Sequence, residues 1–350
     1  AAIVGISLVP NLYLISPRIH LCKFIILPLA MVITLPSAGY AIDFKREELF
    51  GSVDTTLSYG LSTRVADRDS RIVSEANGGA GFSSNVDDGN LNYDQGDIFS
   101  NVVKATSELE INYRELGAFV RGTAFYDFET QGGDTRRSNL SSQALDLVGT
   151  RARLLDAFGW YRFEIGDVPG EMRVGNQVLN WGESTFIQNG ISSINPVDVT
   201  ALRIPGSELK EALLPAPMVV LNFATTTDTS LEFFYQWDWK ETEIDPPGSY
   251  FSGNDFAGEG GDRIILGRGT YADGARPDGS FAPVAGTFQA VPRASDREAS
   301  NSPQFGVALR WLVPRLNDTE FGFYFFRNHS RLPIASGVTG TQAGAQAAGA

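Results

Sequence analysis

Cysteine is almost absent from this 350-residue chain, and the single one, Cys22, lies in an N-terminal apolar stretch. No disulfide framework and no thiol chemistry is therefore available to the rest. Histidine is nearly as scarce, with only His20 and His329 present. That leaves no Ser-His-Asp arrangement and no paired metal-ligand histidines, so the expectation is a protein that is not an enzyme and needs no cofactor. An excess of positive charge is missing too. Arg18 and Lys23 are the only charged residues up to Ala41, so the chain beyond keeps 26 of its 28 Lys and Arg against all 41 Asp and Glu, a formal charge of −15. Nucleic acid is excluded as a partner for so acidic a chain. Beyond Ala41 no apolar run is long enough for a helical membrane span, which leaves strands as the only way to cross a bilayer.

What is present is alternation. From Val53 to Val65, Val53, Thr55, Leu57, Tyr59, Leu61, Thr63 and Val65 share one face, and Ser52, Asp54, Thr56, Ser58, Gly60, Ser62 and Arg64 share the other. Successive strand side chains point to opposite sides of a sheet, so one face suits lipid and the other is small or polar. A soluble sandwich also alternates, but its strands run about 5 to 6 residues, whereas a tilted bilayer-crossing strand needs about 9 to 11.

The same period predicts hairpins at 103–113 with 117–128, 152–165 with 171–181, 218–226 with 230–241, and 304–313 with 319–328. In the second strand of the third hairpin, Leu231, Phe233, Tyr235, Trp237 and Trp239 alternate with polar residues, an aromatic end suited to a membrane interface. Short links at 114–116, 166–170, 227–229 and 314–318 separate long ones at 66–100, 129–151, 182–216 and 242–303, which are rich in Gly, Asp, Asn and Pro. Short turns on one side and long loops on the other are the pattern of outer-membrane barrels, with the long loops expected to be solvated. The fold class is thus all-β, an antiparallel transmembrane outer-membrane β-barrel. With about nine strands the barrel is incomplete, and because an open edge is not viable in lipid the natural chain is expected to continue past residue 350.

Arg18, His20 and Lys23 precede the apolar run from Phe24 to Pro36, which ends in Ser37-Ala38-Gly39-Tyr40-Ala41. This is the export pattern, with cleavage expected after Ala41. The competing reading, an anchoring helix, suffers from Pro10, Arg18 and Lys23 breaking the hydrophobicity. The chain then divides into upstream residues plus signal peptide (1–41) and the N-terminal part of one barrel domain (42–350), addressed to the cell outer membrane. Its expected partners are outer-membrane lipid and lipopolysaccharide and the barrel-assembly machinery.

Several stretches carry a family resemblance: Gly51 to Gly60, Asp88 to Asp97, Arg153 to Ala157, Arg173-Val174-Gly175-Asn176-Gln177 with Trp181 to Phe186, Asn195-Pro196-Val197-Asp198, and Pro205 to Pro215. In this order and spacing the sequence resembles the proteobacterial outer-membrane proteins grouped as domain of unknown function 1302, over most of residues 44 to 256. The resemblance implies a signal peptide, a large barrel and a part in moving lipid-like or other hydrophobic compounds across the outer membrane. It implies no agreed substrate and no catalytic residues.

The stretch 182–216 is odd for a loop. Pro196, Pro205, Pro215 and Pro217 stiffen it or its end, and Phe186, Ile187, Ile191, Ile194, Val197, Val199, Leu202 and Ile204 need something to pack against. Ser207 is placed to cap a short helix running to Leu214. The segment is expected to fold into the barrel mouth as a plug or constriction, with Trp181, Gly182, Glu183, Phe186, Asn195, Pro196, Asp198, Pro205, Gly206, Glu208 and Glu211 as its candidate residues. A lid over the rim or a contact with a neighbouring barrel is the plainer alternative. Inward charges such as Arg64, Lys104, Glu108, Arg121, Arg153, Asp156 and Glu232 are expected to satisfy one another. Asp87, Asp88, Asp94 and Asp97, and separately Asn254, Asp255, Glu259 and Asp262, could bind calcium in outer loops, but they lack the spacing of a calcium loop, simply solvated loops are the plainer reading, and no metal site is assigned.

Two functions remain open at this point. One is a channel or transporter for hydrophobic or lipid-like small molecules, with or without an inner-membrane exporter coupled to it. The other is a structural or adhesive surface barrel acting through its long loops.

Overall fold

Alternation of period two becomes strand pairing in the computed structural model, which describes residues 30–34, 38–132, 135–182, 190–273, 290–301 and 303–338. The strands are β1 (Ala30–Thr34), β2 (Ala38–Arg46), β3 (Leu49–Arg64), β4 (Ile98–Tyr113), β5 (Leu116–Asp127), β6 (Thr150–Ile165), β7 (Val168–Gln177), β8 (Ala216–Phe223), β9 (Thr229–Gln236), β10 (Arg263–Ile265), β11 (Ala290–Pro292), β12 (Gln304–Val313) and β13 (Thr319–Arg327). Eleven of them form one antiparallel sheet in the order β1-β3-β4-β5-β6-β7-β8-β9-β12-β13, with β2 also on β3. Among the described residues this sheet is not closed. No described helix is long and apolar enough to cross a membrane.

All nine strands expected from the alternation are there, within a few residues of the expected ends. Two end early. The strand expected to reach Trp181 stops at Gln177, because Val178 and Leu179 turn their amides to Asp156 and Asn195 instead of to β8. The strand expected to reach residue 241 stops at Gln236, where Trp237 donates to the Pro217 carbonyl and Trp239 to Asn301. An earlier hairpin was not foreseen. β2 crosses the expected cleavage position at Ala41, and its residues Ile42 to Arg46 pair with Val53 to Leu49 through a turn at Glu47 and Glu48.

Short turns lie along one edge of the sheet, at residues 47–48, 114–115, 166–167, 224–228 and 314–318. The tightest adopt positive φ, 52° at Glu47, 52° at Arg114 and 63° at Gly166, as two-residue hairpin turns require. The long connections all leave from the opposite edge. Parts of them stay exposed, as at Phe82 and Tyr271, and other described parts pack against one another. Phe99 and Tyr250 stack at 3.7 Å, Tyr93 meets Tyr250 edge-on at 5.6 Å, and β10 pairs with β11 in a small ribbon. Aromatic burial and local backbone pairing fold these connections into a cap over that edge.

The two faces of the sheet differ in character. One face is apolar: a row of cross-strand partners runs Leu49, Tyr113, Leu116, Tyr161, Met172, Leu221, Phe233, Val307, Phe325 from β3 to β13, of which Tyr113, Leu116, Tyr161, Phe233 and Phe325 are exposed and the others half-buried. The other face carries Ser58, Ser62, Arg64, Lys104, Thr106, Asp156, Glu232 and Gln236, all buried.

Candidate functional site

Two neighbouring rows on the buried face supply the anchor points. Ser58, Lys104, Phe125 and Arg151 are cross-strand partners in one row, and Thr106, Thr123 and Arg153 in the next. Period-two spacing turns Lys104 and Thr106 on β4, and Arg151 and Arg153 on β6, to the same side. Against them lies the long segment that leaves the sheet after β7 and rejoins it at β8.

Lys104 Nζ donates to the Gly206 carbonyl at 2.9 Å, to the Ser207 hydroxyl at 3.1 Å, and to the Glu211 carboxylate. The same carboxylate accepts from the Thr106 hydroxyl at 2.6 Å. Both charged side chains are buried, at 4% and 6% exposure. Burial pushes the Glu211 carboxyl up, but the hydrogen bonds from Lys104 and Thr106 outweigh it and hold the group below the usual carboxylate range. Ser207 is drawn to Lys104 and does not cap the helix as expected. That helix is only Leu209–Ala212, with Glu208 at its N-cap, whose amide donates to Glu211 at 3.3 Å.

Asp198 makes the second anchor. Arg151 and Arg153 both reach its Oδ2, and both also reach Glu243, with Arg153 at 2.7 Å and Arg151 at 3.1 Å. Two guanidiniums thus face two carboxylates with no net charge left over. The other oxygen of Asp198 accepts from the Thr200 hydroxyl at 2.6 Å and the Ala201 amide at 2.9 Å, starting the turn Ala201–Arg203.

Asn195 ties the two ends of the excursion together. Its side-chain oxygen accepts from the Leu179 amide at 2.9 Å, and its amide donates to the Leu214 carbonyl at 3.0 Å and the Gln177 carbonyl at 3.3 Å. Pro196 accepts from the Leu214 amide at 2.9 Å. Trp181 donates its indole N–H to Glu232 and packs on Phe234 at 5.2 Å and Tyr324 at 5.7 Å. Gly306 makes room for that ring, since a Cβ there would fall 2.8 Å from it. Pro205 lies so close to Gly60 that a Cβ at Gly60 would come within 2.2 Å of it. Gly206, at φ +75°, turns the chain beside Ser58. Arg331 closes the far side, bonding the Ile194 carbonyl at 2.8 Å and Gln236 at 2.9 Å, and its burial lowers it to about 10. The contact is tight: a cleft lined by residues that include Phe125, Leu155, Ala201 and Ile204 leaves ≈ 10 Å³, about the least that holds one water.

A family model described as Protein of unknown function (DUF1302) matches residues 24–350. The chain belongs to that family. No curated protein and no solved structure matches it.

Of the candidate residues in this DUF1302 chain, Trp181, Asn195, Pro196, Asp198, Pro205, Gly206 and Glu211 meet the sheet or tie the segment's ends. Gly182 takes φ +128° beside Ile191, which lets the chain turn off after Trp181. Glu208 serves the short helix and pairs with Lys210 at 3.1 Å. Glu183 and Phe186 lie outside the described residues. Of the partners on the other side, some were named only as inward charges expected to satisfy one another, whereas Lys104 pairs with Glu211 of the segment and Arg153 with Asp198 and Glu243. Lys104, Arg153 and Glu232 carried a signal, being polar positions in alternating strands. Arg151, Glu243 and Arg331 fall at or beyond the expected strand ends, where periodicity says nothing.

Proposed function

We propose that this DUF1302 chain is part of an outer-membrane β-barrel that conducts hydrophobic or lipid-like small molecules past a constriction formed by residues 178–182 and 190–215. The observation that carries the reading is the inverted sheet, with an apolar row facing out and charged side chains covered on the other face. A water-soluble sheet gains nothing from exposing such a row, whereas a bilayer favours it. Short turns on one edge and folded connections on the other fit insertion with the loop cap outside. The inserted segment favours selective passage over a wide wet pore, because it rests on β3, β4, β6, β9 and β13 and leaves little space at its anchors.

The test is heat-modifiable gel mobility of the protein extracted from outer membranes, followed by uptake of a labelled long-chain fatty acid and of a small hydrophilic dye into vesicles. Residues 190–213 are then replaced by a short Gly-Ser link. Fatty-acid flux through the intact protein, and dye leakage only after the replacement, are expected. A correctly inserted barrel whose permeability to both is nil before and after would leave the surface-anchor reading instead. Recovery of the protein in soluble form would remove the membrane reading altogether.

A further inference from the structure

Within the loop cap, four carboxylates come together from connections far apart in sequence. Asp87 and Asp88 belong to the connection between β3 and β4, and Asp255 and Asp273 to the one between β9 and β12. One carboxylate oxygen each from Asp87, Asp88 and Asp255 lies within 4.8 Å of the other two. Sequence spacing had placed Asp87 and Asp88 in one acidic group and Asp255 in another.

Charge does not balance here as it does around Asp198. The cation that reaches the group is Arg137, which bonds Asp88 at 3.1 Å and also Asp273, while Asn77 donates to Asp87 at 3.0 Å. Among the described residues, four carboxylates against one guanidinium leave an excess of negative charge where Asp87 and Asp273 are buried and Asp88 and Asp255 half-buried. Asp87 is fully buried, yet its Oδ1 has no hydrogen-bond partner among the described residues. Asp273, 6% exposed, leaves Oδ2 without one, and Asp255 leaves Oδ1. The Asp273 carboxyl stands within hydrogen-bonding reach of Asp88. Two ionised carboxylates both accept, so neither can satisfy the other without a proton or a cation between them.

We propose that Asp87, Asp88 and Asp255, backed by Asp273, bind one calcium ion that staples the β3–β4 connection to the β9–β12 connection. An all-oxygen set of carboxylates suits a hard divalent cation. Calcium is favoured over magnesium because ligands drawn from two separate loops form an irregular set, which calcium tolerates and the octahedral demand of magnesium does not. The site stands independently of the transport reading, since it concerns the loop cap alone.

Calorimetric titration of chelator-stripped protein with calcium chloride, and separately with magnesium chloride, at neutral pH tests this. One calcium per chain is expected, with magnesium weaker by about tenfold or more and calcium binding weakened at least about tenfold in Asp87→Asn and Asp255→Asn. No calcium uptake up to about 10⁻³ M, the weak end for extracellular sites, would overturn the site and leave a shared proton as the neutraliser. Uptake unchanged in both variants would overturn it as well. Should the variants not fold, limited proteolysis of the unmodified protein decides. Cleavage within 242–273 should be slowed by calcium and restored by chelator, and identical cleavage under both conditions refutes the staple.

Discussion

Lys104 and Glu211 stand 107 residues apart in sequence and form a buried ion pair that pins the inserted segment to the wall of the sheet. Removing one partner leaves an uncompensated buried charge, which costs about 3–5 kcal/mol. Lys104→Met and Glu211→Leu should each free the segment around Gly206 while the strands stay paired. The double variant should recover much of that loss, because no unpaired charge remains. Protease cleavage between residues 200 and 214, against unchanged heat-modifiable mobility, measures it. Equal destabilisation by the single and double variants would show that the pair contributes little to docking.

The same carboxylate sets a pH dependence. The folded state holds Glu211 below its ordinary value of 4.5, so it binds a proton less readily there than in the free segment. Its contribution is therefore complete above about pH 4.5 and lost as the pH falls through the lower folded value. Segment docking, followed by protease cleavage with an acid-tolerant enzyme, should be flat from neutral pH down to about 5 and weaken below that. Glu211→Gln should abolish the acid-dependent part.

Asn195 offers a sharper test of the closed excursion, because one side chain satisfies the Leu179 amide and the Gln177 and Leu214 carbonyls at once. Asn195→Ala leaves these buried groups unpaired, at about 1–3 kcal/mol each. Asn195→Asp keeps the acceptor for Leu179 but sets a negative charge against two carbonyls, and it should be the worse of the two. Thermal unfolding of the two variants ranks them. Asp tolerated as well as Asn would mean that the two carbonyls find other donors.

Much of the fold was legible because strand alternation is a local property. Leu57 and Ser58 declare their faces from their neighbours alone, and so did Lys104 and Thr106. The β2 hairpin was hidden because Tyr40 and Ala41 also satisfy the export pattern, and one stretch of sequence served two signals. The site was legible only on one side. Pro196, Pro205 and Gly206 mark an unusual backbone, and too many apolar residues in a loop mark a buried one. Which strand residues they would meet depends on registers across nine strands, β3 to β9, β12 and β13, and on Glu243 and Arg331 outside any periodic segment. Burial of Asp87 and Asp255 in one cluster was equally out of reach, since 168 residues separate them and only the folded cap brings them together.

Gly60 tests the docking geometry without touching any charge. A side chain there would enter the space of Pro205 at 2.2 Å. Gly60→Val is compatible with the strand, where β-branched residues are at home, and should leave β3 paired while lifting the segment off the wall. A cysteine placed at Ser207 reports the result: its labelling by a soluble maleimide should rise several-fold in the Gly60→Val background. Unchanged labelling would mean that the segment shifts along the wall without leaving it.

Leu57 decides between lipid and water as the solvent of the outer face. It lies midway along β3, exposed, in a row with Ala105 and Ala124. In a bilayer, Leu57→Arg near the midplane costs about 2–4 kcal/mol and should reduce the heat-modifiable, membrane-inserted fraction, whereas Ser58, on the covered face of the same strand, can serve as the internal comparison. In water the same change would remove an exposed apolar group at no cost and improve solubility. The sign of the effect on inserted yield therefore tells the two solvents apart, and Leu57→Ala, which removes packing but adds no charge, separates a bilayer penalty from loss of contacts.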